Sequence, residues 1–426
     1  MTNGEKLWRR AKKVIPGGNM LLSKRSEMHL QKGWPSYFSR ARGCKVWDLD
    51  GNEYIDAIGS LWYSNIGHGR KEMADAIAAQ VSTLEAYSTF DPFTNPLAES
   101  VAEKIASLSP IADARVFLCG SGSEAIDTAM KLARTAQIQS GHAERNVIIT
   151  RNRGYHGTNY GGTSAQGLPL NKVGYGTLLE GVMQVDADDI EAMSIAFAQN
   201  KGKVAAVIAE PVQGAGGVWP SSAEYLAGLR RLCDDNGAYL IFDEVITGFG
   251  RLGTWFGAMH YGVTPDMITF AKGVTSGYQP LGGVITSAPI NKALTADPSF
   301  FLRTGYTYSG HPTVCAAALK NIEIMERENL LQRATHIGEK FEQGFAALAT
   351  DGVITGYRGV GAIWAAILPD TIDATAVRDA MIKKGVIARS IPNVIAVCPP
   401  LVISDEEIST VLDVFAEVVN SFSANA

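Results

Sequence analysis

Asp266-Met-Ile-Thr-Phe-Ala-Lys272-Gly273 is an apolar, partly β-branched run that ends on a single amine. It reads as a buried strand or the approach to one. An amine among apolar neighbours loses proton affinity, so it can be neutral and nucleophilic. Most lysines instead snorkel, carrying their charge to the surface along an apolar stem. An earlier stretch decides between the two readings. Tyr239-Leu-Ile-Phe-Asp243-Glu244 has the same form but ends on carboxylates. Together the runs predict two neighbouring parallel strands, with Lys272 and Asp243 at their carboxyl ends, where such sheets bind ligands.

The rest of the chain supports that sheet. Arg115–Cys119, Asn146–Thr150 and Val204–Ala209 are further apolar runs. Between them lie helical patterns over Lys71–Thr83, Leu97–Leu108 and Ser123–Gln139. A further helix before Tyr239 is expected to open at a capping box, Ser221-x-x-Glu224, and close at Gly237. Strands apolar on both faces and alternating with helices predict an α/β fold with a mainly parallel sheet covered on both sides. Before it, residues 1–60 read as an irregular arm with a short basic helix and a hairpin turning at Asp50-Gly51. Beyond residue 312 long helices and short strands read as a smaller α+β domain, with a last helix opened by Ser404-x-x-Glu407. The expected division is therefore 1–60 as arm and part of a small domain, 61–312 as the large domain and 313–426 as the C-terminal small domain.

Composition narrows the function. A chain of 426 residues exceeds the roughly 250–300 at which one core stops growing. The formal net charge is −5 with no long basic run, which argues against a nucleic-acid partner. Five dispersed cysteines without a C-x-x-C pair support neither a local zinc site nor a disulfide framework. No apolar run reaches about 18 residues, and the N-terminus lacks the apolar core of a signal peptide. A cytoplasmic protein without membrane or metal partners is expected.

The turn Cys119-Gly-Ser-Gly-Ser123-Glu124 joins a strand to a helix. Glycines there let backbone approach an anion, and the helix start offers N–H groups. The same turn also serves as an ordinary βα connection. Tyr155, beyond another strand end, is placed to stack on a flat ring or to fill core. His156 reads as a hydrogen-bonded structural residue. Asp243 and Glu244 point to opposite faces, so one of them can address a ligand, and Val245 returns to the Asp243 side. An amine and a carboxylate so placed suit pyridoxal 5'-phosphate (PLP). The amine forms a Schiff base with its aldehyde, and the carboxylate keeps its ring nitrogen protonated.

These segments, with Glu210-Pro-Val, Asp243-Glu-Val-Ile-Thr-Gly-Phe-Gly-Arg251, Ala271-Lys272-Gly and Thr307-Tyr-Ser-Gly-His-Pro312, resemble the class III aminotransferases of PLP fold type I over nearly the whole chain. The resemblance implies the following roles. Lys272 and Asp243 are the catalytic pair. Ser121, Gly122 and Ser123 hold the phosphate, Tyr155 and Val245 sandwich the ring, and Glu210 belongs to the cofactor-binding set. Thr307 reaches the phosphate of a neighbouring subunit, in a homodimer or a tetramer. Leu61-Trp62-Tyr63 and Arg389 resemble the ω-amine:pyruvate transaminases. There Trp62 walls the substrate pocket and Arg389 pairs with a carboxylate, although Arg389 alone also reads as a surface charge. Val14-Ile-Pro16-Gly-Gly18 instead resembles glutamate-1-semialdehyde aminomutases. Ile246 departs from the glutamine of γ-aminobutyrate and ornithine aminotransferases. The expected reaction is ping-pong transfer from an amine donor to an oxo-acid acceptor, pyruvate, through pyridoxamine phosphate. The alternatives are intramolecular amino transfer and a binding protein of the same fold.

Overall fold

The computed structural model describes residues 2–20 and 37–423; the part of the expected arm at 21–36 lies outside the described residues. The chain divides into two compact units. One is Lys71–Thr335, and the other combines Met1–Arg70 with His336–Ala426. The sequence reading set boundaries at 60/61 and 312/313. The helix Pro312–Arg327 instead packs with the helices Lys71–Leu84 and Pro96–Leu108 inside the 71–335 unit. Ten of its residues are buried, so its apolar faces are spent within that unit.

Among the described residues of the 71–335 unit, seven strands form one sheet. Arg115–Cys119 lies at one edge, followed by Gly282–Thr286, Met267–Phe270, Tyr239–Asp243, Val204–Ala209, Val147–Arg151 and Val182–Val185. Gly282–Thr286 runs antiparallel to both its neighbours, and the pairings from Met267–Phe270 to Val182–Val185 are parallel. Val204–Ala209 and Met267–Phe270 are buried at every residue, as continuous apolar runs require. The helix Gly122–Gln139 lays Ala125, Ile126, Ala129, Met130 and Ala133 against Ile148, Ile208, Ile241 and Val284. Small side chains along that helix let it sit close to the sheet, and its first turn is thereby held at the sheet's carboxyl edge.

In the other unit Gly356–Val360, Ile363–Ile367, Val394–Val397 and Arg389–Ile391 form an antiparallel sheet. The predicted hairpin is present as Lys45–Asp48 against Glu53–Asp56. The last helix opens with the expected reciprocal cap: Ser404 accepts from Glu407 N–H at 3.1 Å, and Glu407 accepts from Ser404 N–H at 2.9 Å.

The capping box at Ser221 is a misreading. The helix is Ala223–Asn236, and its cap is Ser222, which accepts from Tyr225 N–H at 3.1 Å; the Gly237 stop is as expected, with φ 62°. Ser221 is claimed elsewhere. The Val147–Arg151 strand runs one residue past its predicted end, and Arg151 is a fully buried guanidinium that donates to Ser221 Oγ at 2.8 Å. Arg151 also pairs with Asp188 Oδ1 at 3.2 Å and donates to the Glu210 carbonyl, and the hydrogen bond that Ser221 adds to this buried cation outweighs a helix cap. Two substitutions test this ranking. Ser222→Ala should cost about 1 kcal/mol as a lost cap. Ser221→Ala should cost more, about 2 kcal/mol, as a lost partner of a charged group. Urea unfolding midpoints of the two variants give the order.

Candidate active site

Asp243 ends its strand in a buried position, 5% exposed. Its carboxylate accepts from three donors. Thr269 Oγ and Val245 N–H both reach Oδ1 at 3.2 Å, and His156 Nδ1 lies 2.8 Å from Oδ2. Oδ1 thus accepts twice, and Oδ2 keeps a lone pair for a further donor. Asp243 pairs in register with Thr269 on the parallel neighbour strand. Three residues beyond Thr269 the chain reaches Lys272, half-buried, in a left-handed backbone with φ 49° at the start of a tight turn. Left-handed φ in a residue with a side chain is strained and is held by its surroundings. Here the holder is Asn321, fully buried on the helix Pro312–Arg327. Its amide donates to the carbonyls of Gly273 at 2.9 Å and Val274 at 3.0 Å, and its oxygen accepts from Ser276 at 2.6 Å. Nothing local marks Asn321 in the sequence, since its partners lie far along the chain.

Glu210 follows the Val204–Ala209 strand and is 3% exposed. It accepts from Tyr155 N–H at 2.9 Å and Gly214 N–H at 3.2 Å, and its carbonyl accepts from Arg151. It thus fixes the backbone of Tyr155 and His156. Burial pushes its pKa up to about 7, Asp243 adds to the rise, and His156, the Tyr155 N–H and Arg151 oppose it. Glu244 turns the other way, to the N–H groups of Gly257 and Ala258 and the Thr247 hydroxyl. The two carboxylates therefore separate as strand alternation predicts.

Ser121 caps the helix Gly122–Gln139, accepting from Glu124 N–H at 3.2 Å, and Ser123 Oγ accepts from Thr158 N–H at 3.0 Å. Ser123 Oγ also lies 3.5 Å from Thr158 Oγ1, and the Ser121 hydroxyl proton remains available to an acceptor. The turn is tightly packed. A Cβ on Gly122 would meet both Val245 methyls at 3.0 Å and Ala271 Cβ at 3.6 Å. One on Gly157, whose φ is 91°, would come within 2.7 Å of Ser123 Oγ. Gly122, Val245 and Ala271, the residue before Lys272, therefore meet in one place. Thr307 is exposed, in a turn of the same unit.

Trp62 and Arg389 belong to the other unit, where they touch. The Arg389 guanidinium lies 4.8 Å from the Trp62 ring centroid, and Trp62 is 2% exposed.

A family model described as aminotransferase class-III matches residues 29–419. The chain belongs to the class III aminotransferases. It is 38% identical over 358 residues to the beta-alanine–pyruvate aminotransferase of Pseudomonas aeruginosa, covering 76% of this chain and 80% of that protein. It is 34% identical to an omega-aminotransferase of Caulobacter vibrioides, over 91% and 94% of the two chains. A solved amine transaminase from an uncultivated Pseudomonas species, in its PLP-bound form, superposes with TM-score 0.88 at 34% identity, over 91% of this chain and 95% of that one. This aminotransferase is accordingly a PLP-dependent enzyme.

The residues present fit PLP. The 121–123 turn offers hydroxyls and a helix start to a phosphate, where a Cβ on Gly122 would crowd Val245. Asp243 offers a fixed buried carboxylate to a ring nitrogen, and Lys272 offers an amine. In the cofactor-free protein Glu210 yields a pH test. Its pKa rises from 4.5 unfolded to about 7 folded, so the folded chain holds a proton that the unfolded chain releases. That stabilisation is full below pH 4.5 and is lost as pH rises through about 7. Stability relative to Glu210→Gln should therefore fall between those pH values and level off above them, which unfolding midpoints across pH will show.

Proposed function

We propose that this aminotransferase moves an amino group from an amine or ω-amino compound to pyruvate in a ping-pong cycle. The observation that carries the reading is the Asp243 carboxylate, buried and held by three donors on the strand parallel to the one that leads to Lys272. PLP, when bound, supplies an electron sink for the carbanion beside the substrate nitrogen.

The chain's own residues do the rest. Lys272 is the anchoring amine and the proton carrier. Its Nζ takes the proton from the amine-bearing carbon of the donor and, in the second half of the cycle, supplies one to the carbonyl carbon of the acceptor. Asp243 keeps the ring nitrogen protonated, and His156 fixes the direction of that carboxylate. Tyr155 and Val245 bracket the ring, and Glu210 holds the Tyr155 backbone in place. Ser121, Gly122 and Ser123 carry the phosphate. Thr307, exposed here, reaches the phosphate of a second subunit, so the working form is a homodimer or a larger assembly. Trp62 walls the apolar side of the substrate, and Arg389 forks onto the acceptor's carboxylate. The cytoplasm is the proposed compartment, in keeping with five buried, unbridged cysteines. Pyruvate as acceptor follows the name of the Pseudomonas aeruginosa relative. That name pairs a donor with a separate acceptor, which weighs against intramolecular amino transfer.

Two measurements test this reading. A donor screen with pyruvate and 2-oxoglutarate as rival acceptors, following the loss of each oxo acid, should show pyruvate consumed preferentially. In the same assay Lys272→Ala should lose turnover by at least about 10³-fold, together with the native visible absorption band. Normal turnover with that band intact would sink the assignment. Arg389→Ala should raise KM for pyruvate by about 10- to 100-fold, as the loss of a charged bidentate contact implies. It should leave KM for an uncharged amine nearly as it was.

A further inference from the structure

The loop that carries Trp62 is built under strain and tied shut by polar groups that the proposed reaction does not use. Gly59, Ser60 and Trp62 have φ of 52°, 60° and 64°. Two of these residues carry side chains, and such backbone persists only where its surroundings over-determine it. The ties converge on Asp56, at the end of the strand Glu53–Asp56 and 2% exposed. Asp56 accepts from Ile58 N–H at 3.2 Å and from Ser60 N–H at 2.7 Å. Its Oδ2 also meets His68 Nε2 at 2.9 Å. With that nitrogen donating to Asp56, His68 Nδ1 is left to accept from the Ser64 hydroxyl, 3.4 Å away. His68 is itself moored, through paired backbone hydrogen bonds to Gly43 at 2.8 and 2.9 Å.

One carboxylate thus holds the outgoing side of the loop, and one imidazole draws in the returning side. Ser64 is 1% exposed, so its hydroxyl serves the clasp and cannot meet a substrate. The far side of the loop is fixed by backbone bonds from Cys398 N–H to Ala57 and from Leu401 N–H to Asn65, both at 2.8 Å.

We infer that Asp56 and His68 are positioning residues for donor specificity: their clasp holds Trp62 in its strained backbone, and with it the ring on which Arg389 lies. The inference rests on the reading of Trp62 as a wall of the substrate pocket. Without His68 the loop relaxes, the tryptophan yields, and bulky donors gain relative to small ones.

The test uses the holoenzyme with pyruvate and two donors, 1-phenylethylamine and β-alanine. The readout is the ratio of their kcat/KM values. Trp62→Ala should raise that ratio at least tenfold. His68→Leu should raise it at least threefold. His68→Gln, which keeps an N–H for Asp56, should lie closer to native. The double variant Trp62→Ala/His68→Leu should match Trp62→Ala alone, because the clasp acts through that ring. If His68→Leu fails to fold, Asp56→Asn, which disturbs the clasp at its acceptor, supplies the comparison and should raise the ratio at least threefold. A ratio unmoved by His68→Leu and Asp56→Asn, while Trp62→Ala shifts it, overturns the clasp and leaves the pocket reading standing. Additive effects in the double variant overturn it too. A ratio unmoved by Trp62→Ala overturns both.

Discussion

The site turns on one buried charge. Asp243 is nearly sealed from water, and a carboxylate in that position must be supplied with donors or give up its charge. Thr269, Val245 and His156 supply them. That need fixes much else. It sets the pairing of two parallel strands and the entry of the Tyr155–His156 segment. It also calls for Glu210, which grips the Tyr155 backbone from a third strand. A chain that holds a carboxylate this deeply buried must build the cage of donors that makes it tolerable.

A second constraint is backbone shape. Lys272, Ser60 and Trp62 all occupy left-handed φ, where side chains are unfavourable. Each lies in a segment held by side-chain hydrogen bonds: from the distant Asn321 for the lysine turn, and from the nearby Asp56 with His68 for the tryptophan loop. The glycine cradle at 122 and 157 works by the opposite device, removing a side chain so that neighbours can close in.

Much of this was legible in the chain. Apolar runs ending in Asp243 and Lys272 marked buried strands, because a strand covered on both faces has no polar period to break its pattern. The reciprocal cap at Ser404 was readable because both its partners are local. The failure at Ser221 has the complementary cause. A serine next to another serine carries no sign that a buried arginine from a distant strand will claim it. His156 was read as structural, and its partner, Asp243, lies across the sheet.

By itself the sequence determined the alternation of strands and helices, the chemistry available at the strand ends, and the family. Those follow from local periodicity, local caps and the order of short motifs. Only the tertiary structure decided which side chains from other elements sit on Asp243, that Asn321 holds the lysine turn, that Arg151 claims Ser221, and at which residues the chain divides into compact units. The bonds from His156 and Thr269 to Asp243, and from Asn321 to the lysine turn, join residues distant in sequence. Such contacts are selected by the need to satisfy buried polar groups once the core has formed, and no local pattern encodes that need.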